Sequence, residues 1–258
     1  MNLKESTRDI FQKKVSVGDV DIYPVTMGEY DEFMECAGVI TIPYKYFNLD
    51  VISKEFNISK NDIKLLDLIT HLTYESNSQD LYFNNLCKLF TIALRQEIRF
   101  SYDQETGLFF ISSEGKKLID RNNYDEIRKV ILEQNLIFEP KIYKSKMVQK
   151  WAEKVLKNRA KSAVNITHED MITTISVIQG ITYEELERYS IFQIRATFQR
   201  ICKIQEYQTT AIMLANPYAA GAVKLGHFAE NTDIRRDPSS DIFKDSSKLG
   251  KLNDAIGN

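Results

Sequence analysis

Three helix-start signals in close succession constrain this chain more than any other feature. Thr167 stands three residues before Asp170, Thr182 three before Glu185, and Ser190 three before Gln193. At that spacing a hydroxyl and a longer side chain can satisfy the orphan N–H groups at a helix start. Gly180 stands where the first of these helices should end, because glycine adopts the left-handed conformation that commonly closes a helix. The stretch 169–214 therefore reads as two or three helices joined by short turns.

That outline also fits a DNA-binding helix-turn-helix, with Gly180 in the turn and Ile175, Ile178 and Leu186 as core positions. The charges oppose it. The would-be recognition helix carries Glu184, Glu185 and Glu187 against Arg188 alone. Phosphates dominate DNA affinity and demand cations, and the start of a recognition helix is where bases are read. The segment reads instead as a helix-loop-helix used for packing.

Upstream the period of the sequence changes repeatedly. Val15, Val17, Val20 and Ile22 alternate around Gly18-Asp19, the pattern of a β-hairpin. Pro24 ends the strand, and Thr26 three residues before Glu29 opens another capped helix running to Cys36. Residues 59–74 and 80–97 read as a helix pair, the first capped by Ser59 or Asn61 and the second with Leu86, Leu89, Phe90 and Ala93 on its apolar side. Residues 98–111 return to alternation and predict a second hairpin, and 123–135 returns to helical spacing with Asn123 as its cap. The aromatic run Tyr44-Lys45-Tyr46-Phe47 is expected to fold back as core, given the burial tendency of large aromatics.

The expected fold is thus α+β, predominantly helical with two short β-hairpins and a C-terminal helical subdomain. Pro140 marks the best boundary. Residues 1–140 form the mixed part, 141–214 the helical part, and 215–258 a tail. From Asn231 the tail is rich in Asp, Ser, Lys and Gly, too polar to offset the entropy of ordering, and is expected to be flexible.

The strongest local charge feature is a predicted helix over 143–163. Lys146, Lys150, Lys154, Lys157 and Lys161 follow steps of three and four residues and so share one stripe, with Glu153 the only acid nearby. Met147, Val148, Trp151 and Val155 lie on the other side, where Trp151 is expected to be buried; its removal would then cost roughly 3–5 kcal/mol. A lysine face is often only a solvated face over a core face. Its functional alternative is docking of an acidic protein, nucleic acid or membrane headgroups, with the acidic protein favoured because the whole chain carries a net charge of −2.

Little points to chemistry. His71, His168 and His227 are isolated, and no HExxH or Cys/His spacing occurs, so no metal and no cofactor are expected. There is no GxSxG elbow and no phosphate-cradling glycine cluster. Cys36, Cys87 and Cys202 are far apart and odd in number, which suggests a reducing compartment. No apolar stretch approaches the roughly 18 residues of a membrane span. The expectation is a non-enzymatic protein.

Two segments carry a resemblance. Residues 17–30, Val-Gly-Asp-Val-Asp-Ile-Tyr-Pro-Val-Thr-Met-Gly-Glu-Tyr, resemble the opening of tail-assembly proteins of tailed bacteriophages. Residues 180–194, running on to Phe198-Gln-Arg-Ile201, resemble a helical segment of tail and baseplate-module proteins from phages of Gram-positive hosts, and 122–131 is similar in character. The resemblance implies a tail-assembly chaperone or a baseplate component. Its partners would be other phage tail proteins, including the tape-measure protein, and its location the host cytoplasm or the virion tail. The net charge of −2 argues against nucleic acid, no membrane partner is expected, and oligomers could form. The competing function is a nucleic-acid-binding regulator using the helix over 143–163.

Overall fold

The computed structural model describes residues 7–56, 59–75, 79–105, 108–143, 145–162, 164–216, 218 and 224–237. The fold is α+β with helices dominant. The first hairpin forms as its alternation requires: β1 (Val15–Val17) pairs antiparallel with β2 (Val20–Ile22), and Gly18 takes the positive φ of 56° in the turn. Val17, Val20 and Ile22 face inward.

Next come α1 (Met27–Ala37), α2 (Leu49–Phe56), α3 (Leu65–Glu75), α4 (Gln79–Leu94) and, after a small sheet, α5 (Tyr124–Gln134); α4 and α5 pack on the hairpin, α1 and α3 pack on α4, and Leu49 and Ile52 of α2 meet the same core. Phe33, Ile69, Leu86, Leu89, Phe90, Ile127 and Ile131 are buried in one continuous core. α3 starts at Leu65 rather than near Ser59, because the Asp67 carboxylate accepts the Lys64 N–H at 3.3 Å and so defines the start. The aromatic run divides. Phe47 is buried, but Tyr44 and Tyr46 are exposed, with the Tyr44 hydroxyl donating to the Ile63 carbonyl at 2.9 Å.

The second sheet has three strands. β3 (Arg99–Asp103) and β4 (Leu108–Ser113) form the expected hairpin, and β5 (Lys116–Ile119) adds a strand that the sequence pattern does not announce. Phe100 and Phe109 stack at 5.3 Å and Phe83 from α4 meets Phe100 at 4.4 Å, which ties the sheet to the helices.

α5 is clamped at both ends. Asn123 stands at the N-cap position as expected, but its side chain bonds backward rather than to the helix: its carboxamide oxygen accepts the Asp120 N–H and its amide donates to the Leu118 carbonyl. At the far end the buried Asn135 side chain accepts the Val25 N–H and donates to the Ile131 carbonyl. Midway, the buried Arg128 donates to the carbonyls of Ile40 and Ile42 and pairs with Glu139, so a charged side chain fixes the loop after α1.

The helical part comprises α6 (Lys146–Ser162), α7 (His168–Gln179), α8 (Tyr183–Leu186) and α9 (Ile191–Leu214). Thr167 with Asp170 and Ser190 with Gln193 close complete capping boxes, and Gly180 ends α7 in the left-handed conformation at φ 69°. Thr182 accepts the Glu185 N–H at 3.3 Å. Ile175, Leu186, Ile194 and Ile201 make a second, smaller core. α8 is a single turn with Leu186 buried and its glutamates outward, so this turn packs the helices together.

The junction between the two parts is unlike the sequence reading at one point. Thr26 does not accept a backbone N–H of α1; its hydroxyl bonds the Glu29 carboxylate instead. The orphan donors of α1 go to a distant segment: Met27 N–H to the Tyr189 carbonyl at 2.8 Å, and Gly28 N–H to the Glu187 carbonyl at 3.0 Å. Thr26 and Ser190 pair as a single antiparallel bridge. A helix start needs external acceptors for its first N–H groups, and here backbone from the helical part provides them. The boundary drawn near Pro140 is therefore spanned by backbone hydrogen bonds.

Residues 231–237 fall in the stretch read as flexible, yet they are held. Ile234 packs on the main core, Arg235 lies over the Phe192 ring at 5.3 Å and pairs with the buried Asp9, and Asp237 pairs with Lys141 at 2.9 Å. An apolar side chain and ion pairs at Arg235 and Asp237 anchor an otherwise polar strap. The rest of that stretch, 238–258, lies outside the described residues.

Candidate functional site

α6 is the candidate interaction surface. It forms because Lys, Met, Ala, Glu, Leu and Gln dominate 146–157 and all favour helix. Arg159 and Lys161 in its last turn suit the negative end of the helix dipole. Gln149 joins its first turn to the preceding chain, accepting the Tyr143 N–H at 3.0 Å and donating to Glu153 at 2.8 Å.

Lys146, Lys150, Lys154, Lys157 and Lys161 are all exposed, as their spacing predicts, and among the described residues none of them forms an ion pair. At about 100° per residue they fall within an arc of about 80°, and from first to last they extend roughly 22 Å along the axis. The helix buries little in return: Ala152 is buried and Val148 and Val155 are half-buried. Trp151 is not a core residue. It is 40% exposed, and Met147 beside it is 66% exposed. The physical reason is position around the axis. Both side chains sit between the lysine arc and the inward-facing Ala152, at the rim of the contact rather than beneath it.

Other chemistry-bearing groups are dispersed. His168 packs edge-on to Tyr30 with ring centroids 5.2 Å apart, and burial, with help from Arg195, holds its pKa below the usual histidine value. His227 stacks on Phe228, and the side chain of His71 lies outside those described. Burial pushes the Cys36 and Cys87 thiols up, which keeps them protonated and poor nucleophiles. Among the described residues no group of three His, Cys, Asp or Glu side chains is placed to hold a metal ion, and no helix is long and apolar enough to cross a membrane.

One feature had no sequence signal. A cleft of about 550 Å³ runs along α9 beneath residues 231–235, bordered by Ile10, Phe192, Arg200, Ile201 and Ile204. Arg200 closes one end by donating to the carbonyls of Phe228 and Glu230. Its walls come from four separate segments, Ile10, Gln179, α9 and 231–235, so no local motif could have announced it.

The comparisons with known proteins bear on the helical part. A family model described as the YomV second domain matches residues 157–233, which begins within α6 and covers α7, α8, α9 and the start of the strap. The chain is 22% identical over 143 residues to the SPbeta prophage-derived uncharacterized protein YomV of Bacillus subtilis (strain 168). That alignment takes in 55% of this chain and 59% of the relative, so the chain spans about three fifths of the length of the curated relative it matches. No solved structure matches. The chain is thus similar to a prophage-derived protein.

Proposed function

We propose that this is a phage protein without enzymatic activity, which acts in the host cytoplasm or the virion tail by binding other tail proteins, as an assembly chaperone or a baseplate component. Similarity to a prophage-derived protein supports the phage origin. The observation that carries the binding role is α6: five exposed lysines on one face of a helix in which, among the described side chains, Ala152 alone is fully buried. A row of cations suits an acidic protein surface and speeds encounter with it.

The test is co-expression with individual tail proteins of the same phage, the tape-measure protein first, followed by size-exclusion chromatography. A complex that forms with the native chain and is lost with Lys150→Glu, Lys154→Glu and Lys157→Glu together is the expected result. Absence of a complex with every tail protein refutes the role. A nucleic-acid-binding regulator is the second reading, favoured only by the same lysines. It requires duplex binding that weakens steeply with salt.

A further inference from the structure

Resting on the docking role of α6, the surroundings of the lysine stripe narrow what can occupy it. Around the axis the exposed Met147 and Trp151 border the lysines on one side, at roughly 20° and 60° beyond Lys154. Gln149 and Glu153 border them on the other. The surface is therefore a cationic row flanked, along one edge of its first half, by two exposed apolar side chains one turn apart. We infer that its occupant is a helix of an acidic partner, lying along α6, with carboxylates against the lysines and apolar side chains closing over Met147 and Trp151.

The spacing argues for a helix. Steps of four, four, three and four residues place successive ammonium groups about one turn apart, and carboxylates at the same steps on a second helix meet them in register. Helix pairs that use flanking charges beside an apolar seam choose partner and orientation in this way. A tryptophan and a methionine are the side chains most suited to anchor such a seam. A membrane surface fits less well: the lysines would lie on it, but Val148, Ala152 and Val155, the middle of the apolar face, are turned toward the body of the protein. Duplex DNA would use the lysines but has no use for Met147 and Trp151.

Trp151 is the one tryptophan of the chain, so its emission reports this surface directly. The probe is a stapled synthetic helix of the length of α6, with glutamates at four- and three-residue steps beside a leucine stripe. The full chain titrated with this peptide is expected to show a blue shift of Trp151 emission. The affinity should fall about tenfold or more when the glutamates become glutamines, when the three lysines are reversed to Glu, or when salt is raised. A lysine-bearing peptide should bind the reversed chain, which excludes misfolding as the cause of the loss. Met147→Ser should weaken binding with no change in thermal stability.

An unchanged emission overturns the inference, as does equal binding of the glutamine peptide. Tighter binding of duplex DNA or of phosphatidylserine vesicles than of the acidic helix overturns it also. If the peptide fails while the co-expressed tail complex still forms and still depends on the lysines, the helical occupant is wrong and the docking role stands. If that complex is also indifferent to the reversal, both fall.

Discussion

α5 and α6 are amphipathic helices of opposite fate. α5 has 11 residues and buries Tyr124, Ile127, Arg128, Ile131, Leu132 and Gln134. α6 has 17 residues and buries Ala152. α5 is held at both ends by side-chain amides and in the middle by Arg128, while Gln149 is among the side chains that tie α6 to its surroundings. An apolar stripe establishes that a helix has a side able to be covered. Whether something covers it depends on elements far away in sequence. Here the long helix with the clearer charge pattern is the less buried one, which is what a helix kept for a partner requires.

The largest expected effect contrasts the two directly. Ile131→Ala should cost about 2–5 kcal/mol, because the side chain is fully buried and its neighbours cannot collapse completely. Val155→Ala, on a half-buried side chain of α6, should cost under about 1 kcal/mol. Equal losses in chemical denaturation would erase the distinction. Trp151→Ala comes next, at about 1–2 kcal/mol rather than the cost of a buried ring, since much of the indole already faces solvent. A loss near 4 kcal/mol would place Trp151 in the core after all.

A smaller effect probes the junction. A Cβ on Gly28 would lie 2.7 Å from Cγ of Glu187, so Gly28→Ala should be neutral or destabilising by up to about 1 kcal/mol despite alanine's better helix propensity. In a Glu187→Ala background the same change should stabilise by about 0.5–1 kcal/mol. Additivity of the two changes would mean that Glu187 does not crowd α1.

The smallest effect is a pH dependence. The folded-state pKa of His168 is depressed by burial first and by Arg195 second, with Asp31 opposing, and its ring faces Tyr30. The unfolded chain therefore takes up the proton first. This contribution to stability is complete above about 6.5 and is lost as pH falls through the folded value. Urea midpoints should decline through that window, and His168→Phe should flatten the decline. An identical slope in the variant would assign it to other groups.

Local chemistry was legible, and dependence on distant chain was not. The boxes at Thr167 and Ser190 and the stop at Gly180 involve residues within four positions of each other, and they form as their spacing requires. Thr26 has the same spacing to Glu29 but lies where Glu187 and Tyr189 deliver carbonyls, so a distant segment replaces the local cap. β5 escaped notice because Lys116-Lys117-Leu118-Ile119 has no alternation of its own, and its strand exists through pairing with β4. For the candidate surface, helical spacing placed the five lysines on one face correctly. It also placed Trp151 opposite to them, but could not reveal that the body of the protein covers the middle of that side and leaves Trp151 at the rim. Ile234 and Arg235 likewise look isolated in a polar stretch until Phe192 and Asp9 are brought beside them.

Amide hydrogen exchange tests the central claim, that α6 is a lightly held helix reserved for a partner, most directly. In the free chain the amides of α6 should exchange well before those of α5, because few buried contacts oppose local opening. With the acidic helix or a tail-protein partner bound, α6 should slow markedly while α5 stays as it was, and the triple lysine reversal should abolish the change. If α6 is protected as strongly as α5 in the free chain and indifferent to every partner, α6 is a structural helix and the account is contradicted.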